Sequence, residues 1–191
     1  MSAVDEVLSN TMRNLAGRVS ALRSDQSGAS ALEFSMFAGL LIFGLLNTVD
    51  ISVYIYKRMQ LENATEMAAQ AAWKACDPSQ GYLPATTSCP GLTNAITGGV
   101  QSTTLGDQVA IQAGSPSEAF YCLNDSGALE YVSAVTGNPP QDCSGTGNVG
   151  QAPGDYIQIT ATFAYTPMFP GVTVANLFTT PITKTSMMRL N

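Results

Sequence analysis

The longest apolar stretch of the chain limits what the chain can fold into. From Phe34 to Val49, sixteen consecutive residues carry no charge. Extended to Leu32 and Tyr56, the stretch has twenty-five residues, or about 37 Å of α-helix, enough to cross a hydrocarbon core of about 30 Å with some tilt. Tyr54 and Tyr56 then lie at the depth where aromatic residues line a membrane interface. The sequence therefore predicts a membrane-spanning helix, with a helix buried in a globular core as the alternative.

The basic residues on either side of this stretch predict its orientation. Arg13, Arg18 and Arg23 precede it, whereas Lys57 and Arg58 are the cations that follow closely. An excess of Lys and Arg marks the cytoplasmic side of a membrane helix. We therefore expect a cytoplasmic amino terminus and a carboxyl-terminal part in the periplasm.

The composition excludes several classes of function. His is absent, which removes the commonest general base and the commonest metal ligand. The net charge of −6 and the lack of a basic run argue against a nucleic-acid partner. We therefore predict a protein that is not an enzyme, with no catalytic residue, no cofactor and no metal site. Four loop aspartates lack EF-hand spacing and are interpreted as solvated turn residues rather than as a calcium site: Asp107, Asp125, Asp142 and Asp155.

The four cysteines all follow the apolar stretch, at Cys76, Cys89, Cys122 and Cys143. An even number on one side of a membrane helix indicates two disulfides in an oxidising compartment. Three pairings are possible, and four buried free thiols are the alternative. We favour sequential pairing, Cys76 with Cys89 and Cys122 with Cys143, because each bond then closes a short loop that contains Pro or Gly.

The helical pattern continues beyond the membrane. The segment KRMQLENATEMAAQAAWKA is rich in good helix formers, and Asp77-Pro78 ends the helix. A helix from Ala29 to Ala75 would be about 70 Å long. A narrow apolar stripe at helical spacing is expected to lean on the rest of the chain: Leu61, Ala64, Ala68, Ala71 and Ala75.

The remainder, residues 77–191, is predicted to be β-structure linked by loops. Ala119–Leu123 and Ala128–Val135 flank a turn and indicate a hairpin. Tyr156–Tyr165 alternates apolar and polar residues, and Ile182–Leu190 is expected to pair antiparallel with it. The predicted fold class is α+β, with a long amino-terminal helix packed on a small antiparallel β-sheet domain with long loops.

The junction before the apolar stretch has a distinctive order of residues. Gly28 ends a polar leader, and Glu33 follows five positions later. A carboxylate at the edge of a membrane is costly unless it is paired. Cutting after Gly28 would give Ala29 a cationic α-amino group, with which Glu33 of another subunit can pair. The alternatives are an uncleaved signal anchor with an interfacial Glu33, and a signal peptide cut near Ala69-Gln70-Ala71, which lies too far from the apolar core.

These observations divide the chain into four parts: a leader (1–28), a transmembrane helix (29–56), an outer continuation of the helix (57–76) and a disulfide-containing domain (77–191).

Asp50 lies six residues inside the boundary at Tyr56. It is therefore expected to face a protein partner or to reach up to the headgroups.

The segment SGASALEFSMFAGLLIFGLLNTVDISVYIYKRMQLENATEMAAQAAW resembles the amino-terminal domain of TadE-like proteins, the pseudopilins of tight-adherence (Flp-type) pilus systems. The likeness rests on the small-residue junction, Leu32-Glu33-Phe34, the apolar run, Asp50, and Leu61-Glu62-Asn63-Ala64 followed by alanines. A looser likeness covers the last 27 residues, from Tyr165-Thr166-Pro167 onward.

The resemblance implies a pilin-like fold and a minor subunit that primes assembly of a thin pilus. It implies cleavage by a prepilin peptidase between Gly28 and Ala29, and a role for Glu33, Phe34 and Asp50 in subunit assembly. The implied partners are the peptidase, other pilins and pseudopilins, and the pilus assembly platform of the inner membrane. The implied location is the inner membrane, with incorporation into the pilus at the cell surface. A membrane-anchored periplasmic binding or adhesion module with an uncleaved anchor is the alternative function.

Overall fold

A computed structural model describes residues 27–76, 79, 81–136 and 140–190. The leader predicted for residues 1–28 therefore lies outside the described residues, except for its last two positions. The chain divides between Thr48 and Val49 into two compact units. We call the residues from Val49 onward the second unit.

The first element, α1, is one continuous helix over Ser27–Ala75. Apolar side chains in its first part are exposed, among them Leu32, Phe34 and Phe37. Its apolar character and length suit a helix that crosses a membrane, whose surroundings are lipid rather than protein. The predicted long amino-terminal helix is confirmed.

Among the described residues, five strands form one antiparallel sheet. They are β1 Val109–Ile111, β2 Ser117–Leu123, β3 Leu129–Ala134, β4 Gly154–Phe163 and β5 Ile182–Arg189. The central strand is β4, which pairs with β5 along one edge and with β2 and then β1 along the other. The expected hairpin of β2 with β3 and the expected antiparallel pair of β4 with β5 are both present. The α+β fold class is therefore confirmed.

The core lies between the sheet and the part of α1 that belongs to the second unit. Ile157, Ile159 and Ala161 of β4 are fully buried, as its alternating sequence predicts. On α1, the buried side chains begin with Leu61, Ala64 and Ala68, in agreement with the predicted stripe, and continue with Ala69 and Ala72.

At the end of the predicted stripe, Ala71 and Ala75 are only partly buried, although Ala75 still packs against the core. The predicted positions repeat every 3.5 residues on average, whereas an α-helix has 3.6 residues per turn, so the buried face drifts to Ala69 and Ala72.

The segment between α1 and β1 corrects the prediction of β-structure and loops alone. It contains a short helix, α2, over Ala85–Ser88 and a longer one, α3, over Leu92–Gln101. Ile96 and Val100 of α3 are buried in the core. Gly99 lies so close to α1 that a Cβ atom placed on it would lie 2.7 Å from the Ala68 Cα. The two helices therefore meet backbone to backbone at Gly99.

Short 3₁₀ helices complete the loops at Gly106–Gln108, Ser144–Thr146 and Val174–Leu177. Two disulfides join Cys76 to Cys89 and Cys122 to Cys143, the sequential pairing favoured from the sequence. The first bond fixes the end of α1 to the segment that precedes α3. The second fixes β2 to the loop before β4.

Candidate functional site

Three polar side chains in the first part of α1 donate hydrogen bonds to the backbone of the same helix. The Ser35 hydroxyl donates to the Leu32 carbonyl at 2.8 Å, and the Thr48 hydroxyl donates to the Gly44 carbonyl at 2.9 Å. The Asn47 amide donates to the Phe43 carbonyl at 2.8 Å. Because lipid offers no hydrogen bonds, such internal bonds lower the cost of polar residues in a membrane helix.

The predicted cleavage junction lies in the first turn of α1. Gly28, Ala29 and Glu33 are all exposed, and the Phe34 side chain is 74% exposed. A Cβ atom placed on Gly28 meets no atom within 4 Å. The residues assigned to processing and assembly at this end are therefore accessible to partners.

Asp50, also assigned to subunit assembly, lies in a different setting, because its side chain is fully buried in the second unit. Its carboxylate accepts hydrogen bonds from the Met168 amide at 2.9 Å, the Phe169 amide at 3.3 Å and the Thr173 hydroxyl at 2.5 Å. The Tyr165 hydroxyl donates to its backbone carbonyl at 3.1 Å. The three groups that donate to the Asp50 carboxylate all belong to residues 166–181. We call this segment the Asp50 loop. The protein partner expected for Asp50 is therefore found within its own chain.

Aromatic contacts reinforce the attachment of this loop to α1. The Tyr54 ring packs against Tyr165, with ring centroids 5.1 Å apart, and against Phe178 at 4.5 Å. One turn further, the Lys57 ammonium lies over the Phe163 ring, 5.6 Å from its centroid. From Asp50 onward, α1 therefore contacts protein, although the sequence prediction counted residues up to Tyr56 in the membrane helix.

A second carboxylate site, which the sequence did not indicate, joins α2 to the sheet. The Glu118 carboxylate of β2 accepts hydrogen bonds from the backbone amides of Ala85 and Thr86, each at 2.8 Å, and from the Thr86 hydroxyl at 2.7 Å. Asp155 of β4 lies beside it and is only 2% exposed. The interpretation of Asp155 as a solvated turn residue was therefore wrong, because it is a buried residue of the central strand rather than part of a loop.

Burial of Asp155, together with the nearby negative charge of Glu118, raises the pKa of the Asp155 carboxyl from its ordinary 3.8 to about 7. In the unfolded chain this carboxyl ionises near pH 4, whereas in the folded chain it keeps its proton until about pH 7. The folded state therefore binds more protons in this window, and stability falls as the pH rises through it.

We expect Asp155→Asn to remove this loss of stability at high pH. The free energy of unfolding at pH 8 should rise by roughly 1–3 kcal/mol relative to the unsubstituted chain. The gain should be much smaller at pH 4, where the folded carboxyl is neutral and the unfolded one is only partly ionised. Denaturant unfolding of the full chain in detergent micelles at several pH values measures the effect. The control is Asp107→Asn at an exposed position. An equal pH dependence in the two variants would refute the assignment.

Within the described residues, one exposed apolar helix precedes an α+β unit closed by disulfides, which suggests a protein anchored in a membrane by a single helix. A family model described as TadE-like protein matches residues 28–70, which confirms the resemblance over that segment. Over this helical segment the chain is similar to TadE-like proteins, a structural kind of protein, and the similarity suggests a component associated with Tad pilus systems. No curated protein and no solved structure matches it significantly.

The match covers α1 up to Gln70 and leaves the sheet and the Asp50 loop outside. It includes every residue assigned to the junction and to assembly, namely Gly28, Ala29, Glu33, Phe34 and Asp50. Of these, the structure gives Asp50 partners within the described residues of the second unit, and it leaves the side chains near the junction exposed.

Proposed function

We propose that the chain is a minor pseudopilin, a structural component that primes assembly of a Tad pilus after a prepilin peptidase has cut it behind Gly28. The observation that carries the proposal is the position of the TadE-like match, which begins at Gly28 itself. The helix that follows is apolar, exposed and long enough to span a membrane.

The proposal includes the location and the partners. The helix anchors the chain in the inner membrane with its amino terminus in the cytoplasm, and the second unit lies in the periplasm. The two disulfides support this orientation, because such bonds persist in an oxidising compartment. Other pilins, pseudopilins and the assembly platform are the partners of the exposed helix, and the mature chain enters the pilus.

The first test concerns processing. We expect the mature chain to begin at Ala29 in cells that contain the cognate peptidase and at Met1 in cells that lack it. Gly28→Leu should block cleavage, because a bulky side chain does not fit a site that takes a small residue, whereas Gly28→Ala should still be cut. Amino-terminal sequencing distinguishes these forms, and an intact Met1 terminus in both strains would reject the processing step.

The second test concerns Glu33. If its carboxylate pairs with the new amine of a neighbouring Ala29, Glu33→Ala should leave cleavage intact and lower the number of pili at least about tenfold, since an unpaired charge at the membrane edge is costly. Glu66→Ala is the matched control, because Glu66 is an exposed glutamate of the same helix outside the membrane stretch. Pili counted by electron microscopy give the readout, and equal numbers in the two variants would refute the pairing role.

A swap of the anchor separates this function from the alternative of a tethered binding or adhesion module. Such a swap must end at Thr48, because Asp50 and Tyr54 belong to the packed second unit. A pseudopilin should lose its function when residues 1–48 are replaced by an unrelated membrane helix. A tethered module should keep it.

A further inference from the structure

The Asp50 loop leaves large apolar side chains uncovered. Leu177 is 85% exposed, Met168 59% and Val172 49%. The chain carries no charged residue from Tyr156 to Thr183, so the loop itself contributes no charge to this surface. Several large apolar side chains exposed on one loop indicate a contact with another protein or with a membrane.

The place where the Asp50 loop is attached to α1 indicates whether it contacts another protein or a membrane. Asp50 is the first charged residue after the uncharged stretch Phe34–Val49. The twenty residues that end at Asp50 form about 30 Å of helix, which equals the thickness of the hydrocarbon core. The loop is therefore hydrogen-bonded to the residue at which α1 leaves the hydrocarbon.

The residues of α1 beyond Asp50 carry groups that are suited to contact with lipid headgroups. Arg58 lies eight residues beyond Asp50, or about 12 Å along the helix. It lines an open groove of about 320 Å³ together with Tyr54, Thr179 and Thr183. A guanidinium with hydroxyl groups beside it is a suitable neighbour for lipid phosphates.

We propose that the Asp50 loop inserts Met168, Val172 and Leu177 into the boundary between the headgroups and the acyl chains of the bilayer that α1 spans. The partner surface is phospholipid, and it gives the second unit a contact with the membrane in addition to the helix. The Asp50 hydrogen bonds hold the loop at the required depth. This contact goes beyond the pilus role and is independent of cleavage after Gly28.

Quenching of tryptophan fluorescence by brominated lipid tests the insertion. The full chain carrying Trp73→Phe and Leu177→Trp is reconstituted into vesicles of phosphatidylethanolamine and phosphatidylglycerol, with and without lipids brominated near the headgroup. Insertion should lower the emission about twofold in the brominated vesicles, because interfacial groups lie only about 5–10 Å deep. Met168→Trp in the same background should give the same result from a second position of the loop.

Val149→Trp is the matched control, because Val149 is 78% exposed but lies at the other end of the sheet. Its neighbour Asn148 bonds the Leu123 carbonyl, close to where β4 begins, whereas the Asp50 loop follows the end of β4, about 33 Å along the strand. Its emission should not change with bromination.

Three results would overturn the proposal. The first is emission of Leu177→Trp that bromination leaves unchanged. The second is equal quenching at Leu177 and Val149, which would mean that the whole unit adsorbs without a specific loop. The third is emission from Leu177→Trp that shifts to the blue as the ratio of protein to lipid rises and is not quenched by bromine, which would assign the loop to a second copy of the chain.

Discussion

Replacing Asp50 with Ala is expected to lower the free energy of unfolding of the chain by about 3–5 kcal/mol. The substitution leaves the amides of Met168 and Phe169 and the hydroxyl of Thr173 without their acceptor in a buried place. Asp50→Asn should lower the free energy of unfolding by a smaller amount, about 2–3 kcal/mol. One side-chain oxygen remains as an acceptor, but the new NH₂ group faces other hydrogen-bond donors.

Denaturant unfolding of the full chain in micelles, followed by the fluorescence of Trp73, measures both variants. Asp107→Ala and Asp107→Asn make the same chemical changes at an exposed position and should stay within about 0.5 kcal/mol of the unsubstituted chain. If Asp50→Ala were no less stable than Asp107→Ala, the carboxylate would not be what holds the Asp50 loop on α1.

Gly99→Ala is the second substitution with a large expected effect. Its Cβ would lie 2.7 Å from the Ala68 Cα and 2.8 Å from the Met67 carbonyl oxygen. Both are backbone atoms and cannot turn aside as a flexible side chain can, so α3 has to move away from α1. We expect a loss of about 2–4 kcal/mol, at the upper end of the usual cost of overpacking.

The adjacent residue provides the control. Gly98 belongs to the same helix, and a Cβ placed on it meets no atom within 4 Å. Gly98→Ala should therefore stabilise the chain by up to about 1 kcal/mol, because alanine favours a helix more than glycine does. The two variants differ only in which glycine carries the methyl group. Shifts of the same sign in thermal or denaturant unfolding would contradict the close contact at Gly99.

The parts of the fold that follow from local pattern could be predicted from the sequence. The alternation in Tyr156–Tyr165 gave a correct strand, since period two is the direct signature of a half-covered sheet. The uncharged run likewise gave a correct helix, because its length admits few other structures. Gly28 and Glu33 were assigned from their order relative to that run, and their roles stay predictions.

Other parts depend on residues that are far apart in sequence. The partners of Asp50 lie more than a hundred residues away in a loop with three prolines, which carries no periodic signal. Helix α3 escaped prediction because Gly98 and Gly99 lower its helix propensity, and its packing on α1 compensates. Asp155 resembles a turn residue by type, and only the pairing of β4 with β2 places it in the interior.

The central position of β4 has a consequence for how the chain folds. Its partners β1 and β2 precede it, β5 follows it, and α1 covers it from the other end of the sequence. Contacts of such large sequence separation form slowly, because long loops must close before any contact is gained. During that time Leu61 and the alanines near it remain exposed to solvent, and the unpaired strand edges of the incomplete sheet can pair with other chains. The chain is thus most prone to aggregate before β5 has joined the sheet, which is when a chaperone would protect it most.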